Sequence, residues 1–288
     1  MRFTKMHGIG NDYVYVNCFE ESLTNVDLPE LSRRVSQQHF GIGADGLILI
    51  MPSTIADFRM RVFNNDGSEA RNCGNGLRCV SKYVFDHGLT KETSFTIETN
   101  GGIVTPVVHI GADGKVEKVT VDMGKPRLLR GQIPMTGDPD TKAIGEQVQI
   151  NGRTLTFTAV SMGNPHVVIL TDKISEEEVT TYGPLLEKHA LFPERANIEF
   201  ISVNTPSDIT FRVWERGSGV TLACGTGACA ALVAAVLEGK AERMATIHLL
   251  GGDLQIEWRE ADQHVYMTGA AAEVFAGEYF GALPLLDQ

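Results

Sequence analysis

Two short segments carry the same chemistry: Asn72-Cys73-Gly74-Asn75-Gly76 and Ala223-Cys224-Gly225-Thr226-Gly227. Each is a Cys-Gly-x-Gly run that opens a stretch reading as helix. A cysteine at the first turn of a helix faces free backbone N–H groups and the positive end of the helix dipole. That position favours the thiolate and is expected to lower the thiol pKa from about 8.5 toward roughly 3.5–7.5. The glycines let a ligand come close to the backbone, and the free N–H groups make an anion site. Two such helix starts aimed at one point would clamp a carboxylate and flank the carbon beside it with two sulfurs. This geometry removes a proton from one face of a carbon α to a carboxylate and returns one to the other face.

The elements around these segments repeat. Cys224 follows Cys73 by 151 residues, and the same offset brings Arg61 onto Arg212, Val62 onto Val213, Gly76 onto Gly227 and Gly88 onto Gly239. In each copy an alternating strand (58–63 and 209–214) leads through a turn (64–68 and 215–219) to the Cys-Gly-x-Gly segment. A helix follows and ends at a glycine suited to a C′ position, Gly88 or Gly239. Leu77, Val80 and Val84 give the first helix one apolar face beside Arg78, Ser81 and Lys82. Residues 229–237 are apolar on all sides, so the second helix is expected to lie inside a curved sheet. Weaker echoes pair Gly10-Asn11-Asp12-Tyr13 with Gly163-Asn164-Pro165-His166, and Gly101-Gly102 with Gly251-Gly252.

Further strands are expected at 13–17, 46–51, 95–99, 103–110, 116–122, 147–150, 154–160, 166–170, 198–203, 246–250, 254–258 and 264–267, with 126–140 as an exposed loop. The fold class is α+β: two pseudo-symmetric domains from an internal duplication, each a curved, mostly antiparallel sheet around a central helix. The active site is expected in the cleft between them. The first domain is expected over 1–119, joined by a C-terminal return at 272–288, and the second over 120–271.

Composition bounds the function classes. The chain has 288 residues, 43% hydrophobic and 21% charged, which is ordinary soluble composition and enough for two cores. A net charge of −11 leaves no basic footprint for nucleic acid or for an anionic membrane. The N-terminal residues carry no targeting signal, and the longest small-apolar run, 228–237, falls short of the roughly 20 residues of a membrane span. A cytoplasmic enzyme is therefore expected. Five cysteines are an odd number in a chain this long and argue against a secreted disulfide framework. Cys18, Cys79 and Cys229 do not share the symmetry and read as small buried hydrophobes. Neither Cys-x5-Cys nor Cys-x4-Cys is a usual zinc spacing, so no metal is expected.

The chain resembles the diaminopimelate epimerase family. The resemblance covers nearly the whole length: Lys5 to Asp12, Phe63 to Glu69, Asn72 to Cys79, Ser161 to His166, Trp214 to Gly217, and Ala223 to Gly227. It implies a two-base epimerisation of LL-diaminopimelate to the meso form, without a cofactor, on the route to lysine and cell-wall precursors. Cys224 would be the thiolate that takes the α-proton in that direction and Cys73 the thiol that returns one, with His166 and Glu215 as accessory catalytic residues. Backbone N–H groups at Gly74, Asn75, Gly225 and Thr226 would hold the α-carboxylate. Asn11, Asn64, Asn164, Asn197, Glu215 and Arg216 match the family's other substrate contacts, Arg216 suiting the distal carboxylate. The resemblance also implies a homodimer, with Val274-Phe275 in one contact.

One departure is visible: where some members carry Gln, this chain has Gly46. Two other readings compete. A proline or hydroxyproline racemase resembles this family and also uses two cysteines, and a redox sensor could bridge Cys73 to Cys224.

Overall fold

The computed structural model describes residues 1–286, so the last two positions of the expected C-terminal return lie outside the described residues. The chain divides into two compact units, one comprising Met1–Val121 with the return from Gly269, the other Asp122–Thr268.

The first unit is built from β1 (Arg2–Gly8), β2 (Asn11–Asn17), α1 (Leu28–Ser36), β3 (Gly46–Met51), β4 (Phe58–Asn64), β5 (Glu69–Ala70), α2 (Gly74–Asp86), β6 (Ile97–Thr99), β7 (Gly102–Val104), β8 (Val107–Ile110) and β9 (Val116–Asp122). The second follows as β10 (Glu146–Ile150), β11 (Arg153–Ser161), β12 (Pro165–Leu170), α3 (Glu176–Glu187), β13 (Asn197–Thr205), β14 (Asp208–Glu215), β15 (Gly219–Val220), α4 (Gly225–Leu237), β16 (Met244–His248), β17 (Asp253–Trp258) and β18 (Val265–Ala270). β19 (Ala272–Glu278) then returns to pair antiparallel with β1.

The duplication extends to the topology of seven strands in each sheet. Strand order β19-β1-β2-β3-β4-β6-β7 in one unit answers β10-β11-β12-β13-β14-β16-β17 in the other, with β5 on β4 and β15 on β14. The pairings correspond as well. β2–β3 and β12–β13 are parallel, as are β4–β6 and β14–β16, and the other pairs along both paths are antiparallel. Each parallel step needs a crossover, and a helix supplies it every time: α1 and α3 at the first, α2 and α4 at the second. α4 lies 151 residues beyond α2 at both ends.

Two helices, α1 and α3, had no counterpart in the sequence reading. Their local signals are real. Asp27 Oδ1 caps α1 by accepting from Glu30 N at 3.0 Å, with Pro29 in the first turn, and Ser175 Oγ accepts from Glu178 N at 3.1 Å at the start of α3. Both helices cover the outer faces of their sheets. Leu31 and Val35 of α1 pack on Val14, Val16, Leu47, Leu49 and Phe63, and Val179 and Leu186 of α3 on Phe157, Ile169, Ile198 and Phe200. Two further differences concern strands and loops. The run 103–110 is two strands, because Thr105-Pro106 interrupts it and proline cannot donate to a ladder. The segment 126–140 includes a 3-10 turn at Arg130–Gln132, and Ile133 and Met135 are buried in the second core, so the loop is not wholly exposed.

The opposite sheet faces receive α2 and α4. Ala228 through Ala235 are fully buried, and α4 touches β11, β12, β13, β14, β16 and β17, as expected for a helix apolar all round. α2 is more enclosed than its sequence indicates, since Arg78 and Ser81 are fully buried. Their polar atoms are satisfied locally: Arg78 Nη2 donates to Asn75 Oδ1 at 2.9 Å and Nε to Ala270 O at 3.2 Å, while Ser81 Oγ donates to Leu77 O. Both helices end in the same way. Gly88 and Gly239 adopt positive φ, and the next two N–H groups fold back on carbonyls of the last turn, the Schellman pattern. No helix among the described residues is long and apolar enough to cross a membrane.

Candidate active site

Cys73 and Cys224 occupy the same place in their units, the N-cap of α2 and of α4, in extended conformation with φ/ψ of −147°/109° and −125°/101°. The preceding strand, side strand and turn deliver each one there. In the first unit Gly76 N donates to Cys73 Sγ at 3.3 Å, while the thiol donates to Asn11 Oδ1 at 3.9 Å. Asn75 Nδ2 also donates to Asn11 Oδ1, at 3.1 Å, and the Tyr13 hydroxyl favours the Cys73 thiolate. Asn11 Nδ2 in turn donates to Asp45 Oδ2 at 2.6 Å. Asn11, Gly74 and Asn75 are thus gathered at Cys73. Asn64, at the end of β4, donates to Ser68 Oγ across its turn.

In the second unit Thr226 Oγ1 lies 3.7 Å from Cys224 Sγ, and Asn164 Nδ2 donates to Thr226 Oγ1 at 3.3 Å. His166, fully buried on β12, has Nε2 at 3.0 Å from Asn164 Oδ1 and Nδ1 at 2.6 Å from Glu199 Oε1. Glu215, at the end of β14, accepts from the Thr221 hydroxyl and faces Cys224 electrostatically. The Asn197 amide donates to Pro165 O and accepts from Arg216 N, which joins β12, β13 and the turn after β14 and leaves one amide hydrogen for a ligand. The exposed Arg216 guanidinium donates to Glu194 O.

The electrostatics correct one expectation. Helix-start N–H groups do pull the thiols down, from Gly76 and Asn75 on Cys73 and from Gly227 on Cys224, but burial outweighs them and both thiols lie above the ordinary range. Removing water costs the anion more than one helix turn returns. Cys224 is raised further by the Glu215 and Glu199 carboxylates, whereas the Tyr13 hydroxyl and the buried Arg78 guanidinium favour the thiolate at Cys73. Without substrate, alkylation of both cysteines by iodoacetamide should therefore be slow at pH 7 and rise about tenfold per pH unit, Cys73 reacting at lower pH than Cys224. Peptide mass spectrometry across pH 6–10 reads this directly, and fast labelling of Cys224 at pH 6 would contradict it. The other cysteines are inert by comparison. Burial pushes Cys79 to about 12 and the half-buried Cys18 to about 11. Among the described residues no cluster of three His, Cys, Asp or Glu side chains is placed to hold a metal ion.

Gly46 follows from the backbone. It pairs with Asn64 at the start of β3, and a Cβ there would stand 2.1 Å from Phe63 O and 2.9 Å from Tyr13 Cε1. No side chain can reach a ligand from this position while β3 and β4 keep their spacing. Gly76 and Gly227 are close approaches of the same kind. A methyl on Gly76 would meet Ile48 Cδ1 at 2.6 Å, and one on Gly227 would meet Glu199 Oε1 at 2.9 Å and Cys224 Sγ at 3.0 Å.

Two residues at the thiols escaped the sequence reading. Tyr13 stands over His166 in the weaker echo, so the repeat carried the signal. Glu199 left a fainter one, a lone carboxylate inside the apolar run Ile198 to Ile201.

Comparison with known proteins gives consistent neighbours. The family model described as diaminopimelate epimerase matches residues 3–129 and 158–274. The diaminopimelate epimerase of Bacillus cereus is 55% identical over 279 residues, covering 96% of each chain. Among solved structures, a phenazine biosynthesis protein of the PhzF family from Bacillus anthracis superposes with a TM-score of 0.68 at 16% identity, over 97% of this chain and 99% of that one. A hydroxyproline epimerase from Agrobacterium vitis gives 0.67 at 15%, over 96% and 90%. At such identities the two structures are alike in fold alone.

Proposed function

The chain belongs to the diaminopimelate epimerase family, and on that premise we propose that it converts LL-2,6-diaminopimelate to meso-diaminopimelate by proton transfer between Cys73 and Cys224. The observation that carries this reading is the equivalence of the two cysteines, each an N-cap at the same point of a duplicated fold. In the LL-to-meso direction Cys224 removes the α-proton and Cys73 supplies one to the opposite face. The reverse direction exchanges the roles. With substrate bound, one sulfur is charged and the other neutral, so in that complex apparent pKa values belong to the pair.

Substrate supplies the charge that the resting site lacks. Burial, and then the carboxylates of Glu215 and Glu199, hold the Cys224 thiol protonated. An α-ammonium arriving beside Glu215 offsets that field, and the thiol proton passes to bulk water as the substrate enters. The N–H groups of Gly74, Asn75, Gly225 and Thr226 take the α-carboxylate, and fixed donors in a dry site stabilise the charge that develops as the α-proton departs. Arg216 takes the distal carboxylate, and Asn11, Asn64, Asn164 and Asn197 complete a donor and acceptor set that reads the distal L-centre. The enzyme works in the cytoplasm as a homodimer, the exposed Val274 and Phe275 of β19 forming part of the contact.

Proton NMR of LL-diaminopimelate in deuterated water tests the reading. With reduced protein, deuterium enters one α-carbon as the meso form appears, and L-proline under the same conditions stays unlabelled. Labelled proline with inert diaminopimelate would overturn it in favour of an imino-acid racemase.

A further inference from the structure

The two thiol sites are equivalent in backbone and unlike in surroundings. Register places His166 opposite Asn197 in β12–β13, and Val14 opposite Leu47 in β2–β3, so Tyr13 and Gly46 stand where His166 and Asn197 stand. Ile48 then corresponds to Glu199, and both meet the second glycine of their Cys-Gly-x-Gly segment. At Cys73 the hydroxyl of Tyr13 favours the thiolate, and Ile48 packs against Gly76. At Cys224 the corresponding positions hold a fully buried imidazole and a fully buried carboxylate.

With the Asn164 amide oriented as it stands, the hydrogen bonds around that imidazole run in one direction. Asn164 Nδ2 donates to Thr226 Oγ1, so its Oδ1 faces His166 and must accept, which requires a hydrogen on His166 Nε2. The Thr226 hydroxyl, already an acceptor from Asn164, is free to donate to Cys224 Sγ. His166 Nδ1 is held by Glu199 Oε1 at 2.6 Å, and whichever of the two atoms carries the shared proton, Nε2 remains the donor. Glu199 Oε2 has no hydrogen-bond partner. A buried carboxylate left half-satisfied costs stability and is retained here on one side of the duplication only.

From this geometry we infer that Glu199 is the positioning residue of the Cys224 half. It holds His166 Nδ1, and the imidazole then orients Asn164, Asn164 orients Thr226, and Thr226 directs its hydroxyl proton at the Cys224 sulfur. The inference deepens the epimerase reading and rests on it for its purpose, not for its test. The titratable side chains facing Cys224 from the elements around it are His166 on β12, Glu199 on β13 and Glu215 on β14. Because Glu199 also acts on the sulfur through its own charge, the diagnostic quantity is coupling between variants, not the sign of a single shift.

Iodoacetamide labelling of Cys224 and Cys73 in the intact, substrate-free enzyme, followed by peptide mass spectrometry from pH 6 to 10, tests the chain of contacts. Thr226→Val should raise the Cys224 midpoint and Glu199→Gln should change it. In the double variant Glu199→Gln should shift the midpoint by less than half of what it does alone, with the Cys73 profile unmoved throughout. Additive shifts, or equal displacement of both cysteines, would overturn the inference. A second measurement needs no variant at Glu199. Long-range proton–nitrogen spectra of the wild type, with the His166 signals identified by their loss in His166→Asn, should show a protonated Nε2, and a bare Nε2 would overturn the inference on its own. Neither readout depends on epimerase activity, so loss of the epimerase reading in deuterium exchange is a separate result.

Discussion

Cys73→Ala and Cys224→Ala should each lower kcat for epimerisation in both directions by at least about 10³-fold, within the range a positioned acid or base contributes. Each thiol is the base in one direction and the acid in the other, so neither variant retains a preferred direction. What remains should differ. With Cys73 gone, Cys224 can still take the α-proton of the LL isomer and return a solvent-derived one to the same face. With Cys224 gone, Cys73 can do the same for the meso isomer. In deuterated water the Cys73 variant should therefore label LL-diaminopimelate with retention of configuration, and the Cys224 variant should label meso. Cys→Ser variants, which keep size but not acidity, should behave like the alanine variants. Chiral chromatography with mass detection reads both quantities. Epimerisation within tenfold of wild type in either alanine variant would remove the two-thiol mechanism.

The second large effect concerns stability. Gly46→Gln, which introduces the side chain some family members carry, should destabilise the protein by about 3 kcal/mol and lower Tm by roughly 10 °C. The added Cβ stands 2.1 Å from the Phe63 carbonyl, which is backbone and cannot rotate away. β3 must move off β4 at the point where Leu47 pairs with Phe63 and Ile48 with Val62, in the middle of a buried sheet. The same Cβ presses on the ring of Tyr13, whose hydroxyl favours the Cys73 thiolate. Thermal unfolding followed by circular dichroism measures the first effect. A Tm within 2 °C of wild type would show that the strand pair yields without cost.

Much of the fold was legible because the duplication repeats local signals without a gap. α2 and α4, their cysteine N-caps and their glycine C-caps follow from patterns within about 15 residues, where turn chemistry and periodicity act directly. β3 and β9 were read with their observed limits for the same reason, as alternating or apolar runs bounded by turn residues. α1 and α3 were missed because short helices that cover only the outer face of a sheet are specified by packing more than by periodicity. The division of 103–110 turned on a single proline.

Local pattern in the chain is enough to establish the pair of thiols, their equivalent helix starts, the order of elements that carries them, and the family. Tertiary structure alone decided how those thiols behave. Burial reverses the shift expected from the helix ends, because desolvation of a sulfur anion is a property of everything packed around it. Tertiary structure also decided that Glu199, 25 residues before Cys224, stands behind His166, and that Ile48 occupies the equivalent place beside Cys73. Those positions meet only when parallel strands come into register, and register is a relation between distant segments that no local pattern encodes.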